Sequence, residues 1–147
     1  MRIQLAVALA GLAISFAVPS IAQQQNTVDP EVRQQIEAAI MKLGEAINKH
    51  DAAAVAALYT QDAVQVWSFL SAGGVASGQQ AIEKRYAVEF ASSPGKFFAA
   101  KLVHVYPISN EVSAIAEKSW GVWKDYIAWI YARDADTWKI RMEYVTN

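Results

Sequence analysis

The chain has 147 residues, 13 Lys plus Arg against 14 Asp plus Glu, two His and no Cys. That length suits one domain, and 54% hydrophobic with only 18% charged residues excludes a disordered chain. Near-zero net charge without a Lys/Arg run argues against nucleic acid as a partner, and the absence of thiols excludes disulfides, cysteine nucleophiles and thiolate metal sites.

Met1-Arg2 is a short positive start, Leu5 to Val18 is an apolar run broken only by Gly11 and Ser15, and Pro19 precedes Ser20-Ile21-Ala22. This is the charged, apolar and small-residue sequence of a secretory signal. The run is too short for a membrane span, which needs about 20 apolar residues. Residues 1–22 are therefore expected to be removed, leaving a periplasmic or secreted protein with no membrane contact after cleavage. Residues 23–28 are polar and Gln-rich, a flexible leader, and the domain is expected at 29–147.

Asp29-Pro30-Glu31 is a helix start: a capping carboxylate, a Pro at the first helical position and an acid at the positive end of the dipole. Val32, Ile36, Ile40, Leu43 and Ile47 recur at helical spacing, predicting an amphipathic helix over 30–48. Asp51 caps a second, Ala-rich helix from Ala52 to Tyr59. Ala63 to Phe69 alternates as a strand, Ser71 to Gly74 is a turn, and Val75-Ala76 is a short return strand. Ser77 with Gln80 forms a capping-box pattern. It opens a third helix over 79–91, with Ile82, Tyr86 and Phe90 on one stripe. Four long strands follow, at 96–106, 111–120, 123–133 and 137–146, and their short connections predict an antiparallel meander.

Helices collected before a sheet predict an α+β domain, with three helices packed on one face of a curved, mainly antiparallel sheet. The resulting cone encloses a natural ligand site.

The order of elements, together with three local patterns, resembles the NTF2-like superfamily, in particular its SnoaL-like and DUF4440-like branch. The patterns are Asn48-Lys49-His50-Asp51 followed by Ala57 to Val64, Ser77-Gly78 with Ala81-Ile82, and Asp134 to Ile140. The resemblance covers nearly all of 30–147 and implies a cone-shaped fold. It does not imply one function, because such folds host isomerases, cyclases, hydrolases and non-catalytic association domains. The steroid-isomerase type pairs a first-helix Tyr with a first-strand carboxylate. Aligned through Asp51 and Asp62, those positions fall on Leu43 and Trp67, which can supply neither the hydrogen-bond donor nor the base.

His104 is the candidate catalytic residue. Phe98, Ala100, Leu102, His104 and Tyr106 alternate with Lys101, Val103 and Val105, so with Lys101 outside, His104 faces the cone. There its imidazole could exchange protons near neutral pH. A His satisfied at a rim or an interface is the plainer reading. Asp62 is either an acid at the pocket mouth or a turn residue. Glu89 follows Arg85 by four positions, as in a helix-flank ion pair. Asp134 and Asp136 bracket a hairpin turn. Nothing stands at metal-ligand spacing, and no phosphate loop is present, so neither metal nor cofactor is expected.

Fourteen of the sixteen aromatic residues lie between Trp67 and Tyr144, which predicts an aromatic pocket. Trp67, Phe69, Tyr86, Phe90, Tyr106 and Trp120 are the ligand-binding candidates, for a small hydrophobic or aromatic molecule. The stretch Tyr126 to Ala132 is apolar on both alternating faces, so each face needs cover. A homodimer, sheet against sheet, supplies it. Ile127, Trp129 and Tyr131 are one candidate interface row; the opposite register is the other. The competing function is a non-catalytic association or carrier domain that dimerises through its sheet. A buried polar group in an open cavity favours ligand binding, and a closed, packed interior favours association.

Overall fold

The structure is a computed structural model that describes residues 28–69, 72–93, 95 and 97–146. The signal segment 1–22 and leader residues 23–27 lie outside the described residues. Helix α1 spans Pro30–Asn48, α2 Ala52–Ala57 and α3 Gln79–Ser92; strands are β1 Tyr59–Phe69, β2 Ala72–Ser77, β3 Phe98–Ile108, β4 Glu111–Trp120, β5 Trp123–Asp134 and β6 Thr137–Thr146. They build one curved six-stranded sheet in the order β2-β1-β6-β5-β4-β3.

The expected α+β architecture is present, with one difference. Two helices precede the β1–β2 hairpin and α3 follows it, so the three are not consecutive at the N-terminus. The sheet is mainly antiparallel, as expected: β1 lies parallel to β6, and the other pairings are antiparallel. That parallel contact sets Gln65 in the middle of β1 beside Glu143 near the end of β6, two of the buried polar residues of the interior.

Local chemistry sets the helix ends. Asp29 accepts the Glu31 N–H at 2.8 Å, and Asp51 accepts the Ala54 N–H at 2.9 Å. The second helix stops at Ala57, before Tyr59, which begins β1 and is fully buried. The Ser77 capping box does not form. Gly78 is the N-cap with φ 83°, a left-handed conformation that Gly adopts without steric cost, and among the described residues no side chain caps α3.

Ile36, Ile40, Leu43 and Ile47 of α1 bury one stripe, and α1 packs across β3 and β6. Helix α3 turns Ile82, Tyr86 and Phe90 toward β1, β2 and α2. Asn48 ties α1 to β3: its Nδ2 donates to the Phe98 carbonyl at 2.9 Å, and its Oδ1 accepts the Phe98 N–H at 2.7 Å.

Two bulges decide which side chains enter the cone. Between Leu102 and His104 the β3–β4 register gains a residue on β3. One extra residue reverses the alternation beyond it. Between Ile140 and Met142 the β5–β6 register gains Arg141, so Glu143 faces inward with Val145 while Met142 and Tyr144 face out.

Candidate functional site

Ile127, Trp129 and Tyr131 of β5 point into the core, all 4% exposed or less. The register is therefore the opposite of the first interface row expected from the sequence. Ala128 and Ile130 lie on the outer sheet face, alongside Val66, Ile115, Met142 and Tyr144.

A cavity of about 630 Å³ opens between the inner sheet face and α3. Its apolar wall includes Trp67, Phe98, Trp120, Trp123 and Ile127, and its polar groups include Arg85, Tyr86, Glu89, Lys118, Asp125 and Glu143. Phe98 and Trp120 meet edge-on with centroids 5.8 Å apart, a favourable arrangement for two rings. Lys118 and Asp125 stand directly opposite on β4 and β5. Burial holds the Lys118 amine below its ordinary pKa, against the opposing influence of Asp125 and Glu143.

Glu143 is 1% exposed and is the organising group of the interior. Its Oε2 accepts from the Tyr59 hydroxyl at 2.5 Å and from Trp129 Nε1 at 2.9 Å; its Oε1 accepts from Gln65 Nε2 at 2.6 Å. The Tyr86 hydroxyl completes the network, 3.4 Å from the Tyr59 hydroxyl and 3.3 Å from Gln65 Nε2. The directions are mutually consistent: Gln65 donates to Tyr86, Tyr86 to Tyr59, and Tyr59 to the carboxylate. The Gln65 amide is oriented by this network, since the flipped amide would set oxygen against oxygen. Gln65 Oε1 is buried with no partner among the described residues. The phenols of Tyr59 and Tyr86 are both pushed above the ordinary tyrosine pKa, chiefly by burial and next by the charge of Glu143.

Trp67, Tyr86 and Trp120 line the cavity. Phe90 does not; it is buried in the core beside Tyr86 and the His50 ring. Tyr106 is on the outer face, 40% exposed. The Phe69 side chain lies outside the described residues. The orientation expected for His104 is corrected: Lys101 is outside, as assumed, but the bulge after Leu102 sends Val105 inward and leaves His104 exposed, stacked on Tyr106 at 5.8 Å. Asp62 is an exposed acid within β1 and does not line the cavity, and its carboxyl is held below its ordinary pKa by the 2.8 Å bond from the Thr60 hydroxyl. Arg85 and Glu89 form the i, i+4 pair at 2.8 Å and also line the cavity. Asp134 pairs with Lys139 at the β5–β6 turn.

Sequence reasoning missed Glu143, Tyr59 and Gln65. In Ile140-Arg141-Met142-Glu143-Tyr144 strict alternation puts Glu143 opposite Ile140, on the solvent side. The one available signal was a lone acid within a largely apolar terminal strand.

No protein-family model matches the chain, and no curated protein matches it. Solved structures do match its fold. A protein of unknown function with a cystatin-like fold from Nostoc punctiforme superposes with a TM-score of 0.66 at 9% identity, over 81% of this chain and 92% of that one. An NTF2-like protein of unknown function from Pseudomonas putida gives 0.64 at 14% identity, over 80% and 87%. A putative calcium/calmodulin-dependent protein kinase type II association domain from Thiobacillus denitrificans gives 0.64 at 16% identity, over 75% and 92%. The chain thus has the NTF2-like, cystatin-like fold.

Proposed function

We propose that this is an exported, homodimeric small-molecule-binding protein of the SnoaL-like or DUF4440-like type, whose cone takes a hydrophobic or aromatic ligand. The observation that carries this reading is an open cavity of about 630 Å³ with a buried carboxylate at its inner end and aromatic rings along its walls. A few placed polar groups within an apolar concavity are what a small-molecule site requires. An association domain would gain nothing from keeping this volume open.

Acid–base chemistry on such a ligand falls to Glu143 in place of His104. A base must be within reach of the proton it takes, and of the two only Glu143 lines the cavity. Tyr59, Gln65 and Trp129 fix its position, the arrangement expected of a group held by its neighbours for one task.

The dimer reading keeps its surface but changes its residues. The outer face carries Val66, Ile115, Ala128 and Ile130 at its centre, and no helix among the described residues covers it. A second copy, presenting the same strip about a twofold axis, is the occupant that matches an apolar centre of this kind. Light scattering at micromolar concentration tests it: a dimeric mass supports the reading and a monomeric mass ends it.

Native mass spectrometry of the purified mature protein tests the binding function. A co-purifying small molecule, lost when Ile127→Trp fills the cavity, is the expected result. A bare polypeptide mass, with no uptake of aromatic probes, would refute it.

A further inference from the structure

We propose that Arg85 is a preset anchor for the carboxylate of a flat aromatic ligand, and that Gly74, on the edge hairpin, is the positioning residue that sets it. This rests on the cavity being a ligand site. Trp67 and Gly74 stand directly opposite on β1 and β2. A Cβ at Gly74 would lie 2.2 Å from Trp67 Cζ2, 2.7 Å from Cε2 and 2.9 Å from Cη2. The indole therefore lies across the bare backbone of Gly74, a cross-strand aromatic covering a glycine on an edge strand. No larger residue leaves room for it.

The indole in turn carries the cation. The Arg85 guanidinium carbon is 5.0 Å from the Trp67 ring centroid and 4.9 Å from that of Tyr86, both within cation–π range. One helical turn later Glu89 Oε2 holds Nη2 at 2.8 Å. Two rings and one carboxylate fix the guanidinium plane. A guanidinium has five N–H donors, and among the described residues Glu89 is its one acceptor. The side chain is only 16% exposed, yet none of its nitrogens is both sealed and unpartnered. Arg85 itself lines the cavity, and its unspent donors are the ones assigned to the ligand.

A planar fork with free donors in an apolar cleft matches a carboxylate. Trp120 and Phe98 supply ring surfaces for the rest of the ligand. The cavity's own acids do not compete for the fork: Glu143 is engaged by its three donors, Glu89 is the group that orients Arg85, and Asp125 stands opposite Lys118 and accepts the Tyr126 N–H at 2.7 Å.

Isothermal titration with three probes of one shape tests this: 2-naphthoate, neutral 2-naphthylmethanol and cationic 2-naphthylmethylamine. The wild-type protein is expected to bind naphthoate at least about tenfold tighter than the alcohol, the scale of one charge-assisted hydrogen bond. Arg85→Met should bring those two probes to within about twofold of each other, and Arg85→Lys, which keeps the charge and loses the fork, should fall between. Gly74→Ala should cut naphthoate affinity by about threefold or more, on the scale of one cation–π contact, and shift the tryptophan emission. Trp67→Leu removes the platform without the clash and should do the same, with circular dichroism confirming the fold of each variant. An amine or alcohol that binds as tightly as naphthoate, or a preference that survives Arg85→Met, overturns the anchor while leaving the aromatic site standing. If none of the three probes binds, the reading of the cavity as a ligand site fails, and the anchor with it.

Discussion

Replacing Glu143 by Leu should expose how the interior is held together. The substitution strands three buried donors, the Tyr59 hydroxyl, Gln65 Nε2 and Trp129 Nε1. Each stranded donor costs about 1–3 kcal/mol. Part is returned because a buried carboxylate no longer has to be desolvated. A net loss of about 3–5 kcal/mol is expected, a large share of the roughly 5–15 kcal/mol that stabilises a domain of this kind. Tyr59→Phe alone removes one hydrogen bond to a charged acceptor, about 2 kcal/mol. In the Glu143→Leu background the same change should cost close to nothing, because the phenol no longer faces a carboxylate. The cycle therefore predicts a coupling of about 2 kcal/mol between positions 59 and 143. Urea unfolding followed by circular dichroism measures all four proteins, with similar m-values as the condition for comparing them. Additivity within about 0.5 kcal/mol would refute the account of Glu143 as the acceptor at the centre of the network.

Alkaline pH should destabilise the fold. Tyr59, Tyr86 and Tyr131 are held above the ordinary phenol pKa, in each case chiefly by burial, so the unfolded chain releases these protons first. Stability is fully present below about pH 10 and falls above it by about 1.4 kcal/mol per pH unit for each tyrosine. Urea midpoints from pH 8 to 11 should show this, with a shallower fall in Tyr59→Phe; a flat profile would contradict it. His104→Gln should leave ligand binding unchanged and stability within about 0.5 kcal/mol, as for an exposed side chain, measured by titration and urea unfolding. Ile130→Lys, on the outer face, should convert a dimeric light-scattering mass to a monomeric one while keeping the circular dichroism spectrum; an unchanged dimeric mass would place the interface elsewhere.

The fold was legible because its signals are local and repeated. The apolar stripe of α1, the Asp29 and Asp51 caps and the short connections among the last four strands each read directly, and β4 and β6 begin and end where alternation places them. The site was only half legible. Trp67, Tyr86 and Trp120 lie where the aromatic bias suggested, because rings concentrated on a few elements must fill the same interior. His104 and Glu143 were misplaced for one shared reason. A bulge adds a single residue, leaves no mark in composition and reverses every side chain after it. At Val103 this turned a histidine out, and at Arg141 it turned a glutamate in. Gly74 is the third case: in sequence Gly73-Gly74 reads as a turn, and its role appears only once the indole of Trp67 is seen lying across it.

The central claim is that a small aromatic molecule occupies the cone, and the indole N–H resonances of the five tryptophans test it most directly. Trp67, Trp120 and Trp123 line the cavity, whereas Trp138 lies outside it near the β5–β6 turn, donating to Gln35 of α1 at 2.8 Å. On titration with 2-naphthoate, the three cavity indoles should shift in the ¹H–¹⁵N spectrum while Trp138 stays fixed. Movement of Trp138 alone, or no movement in any of the five, would contradict it.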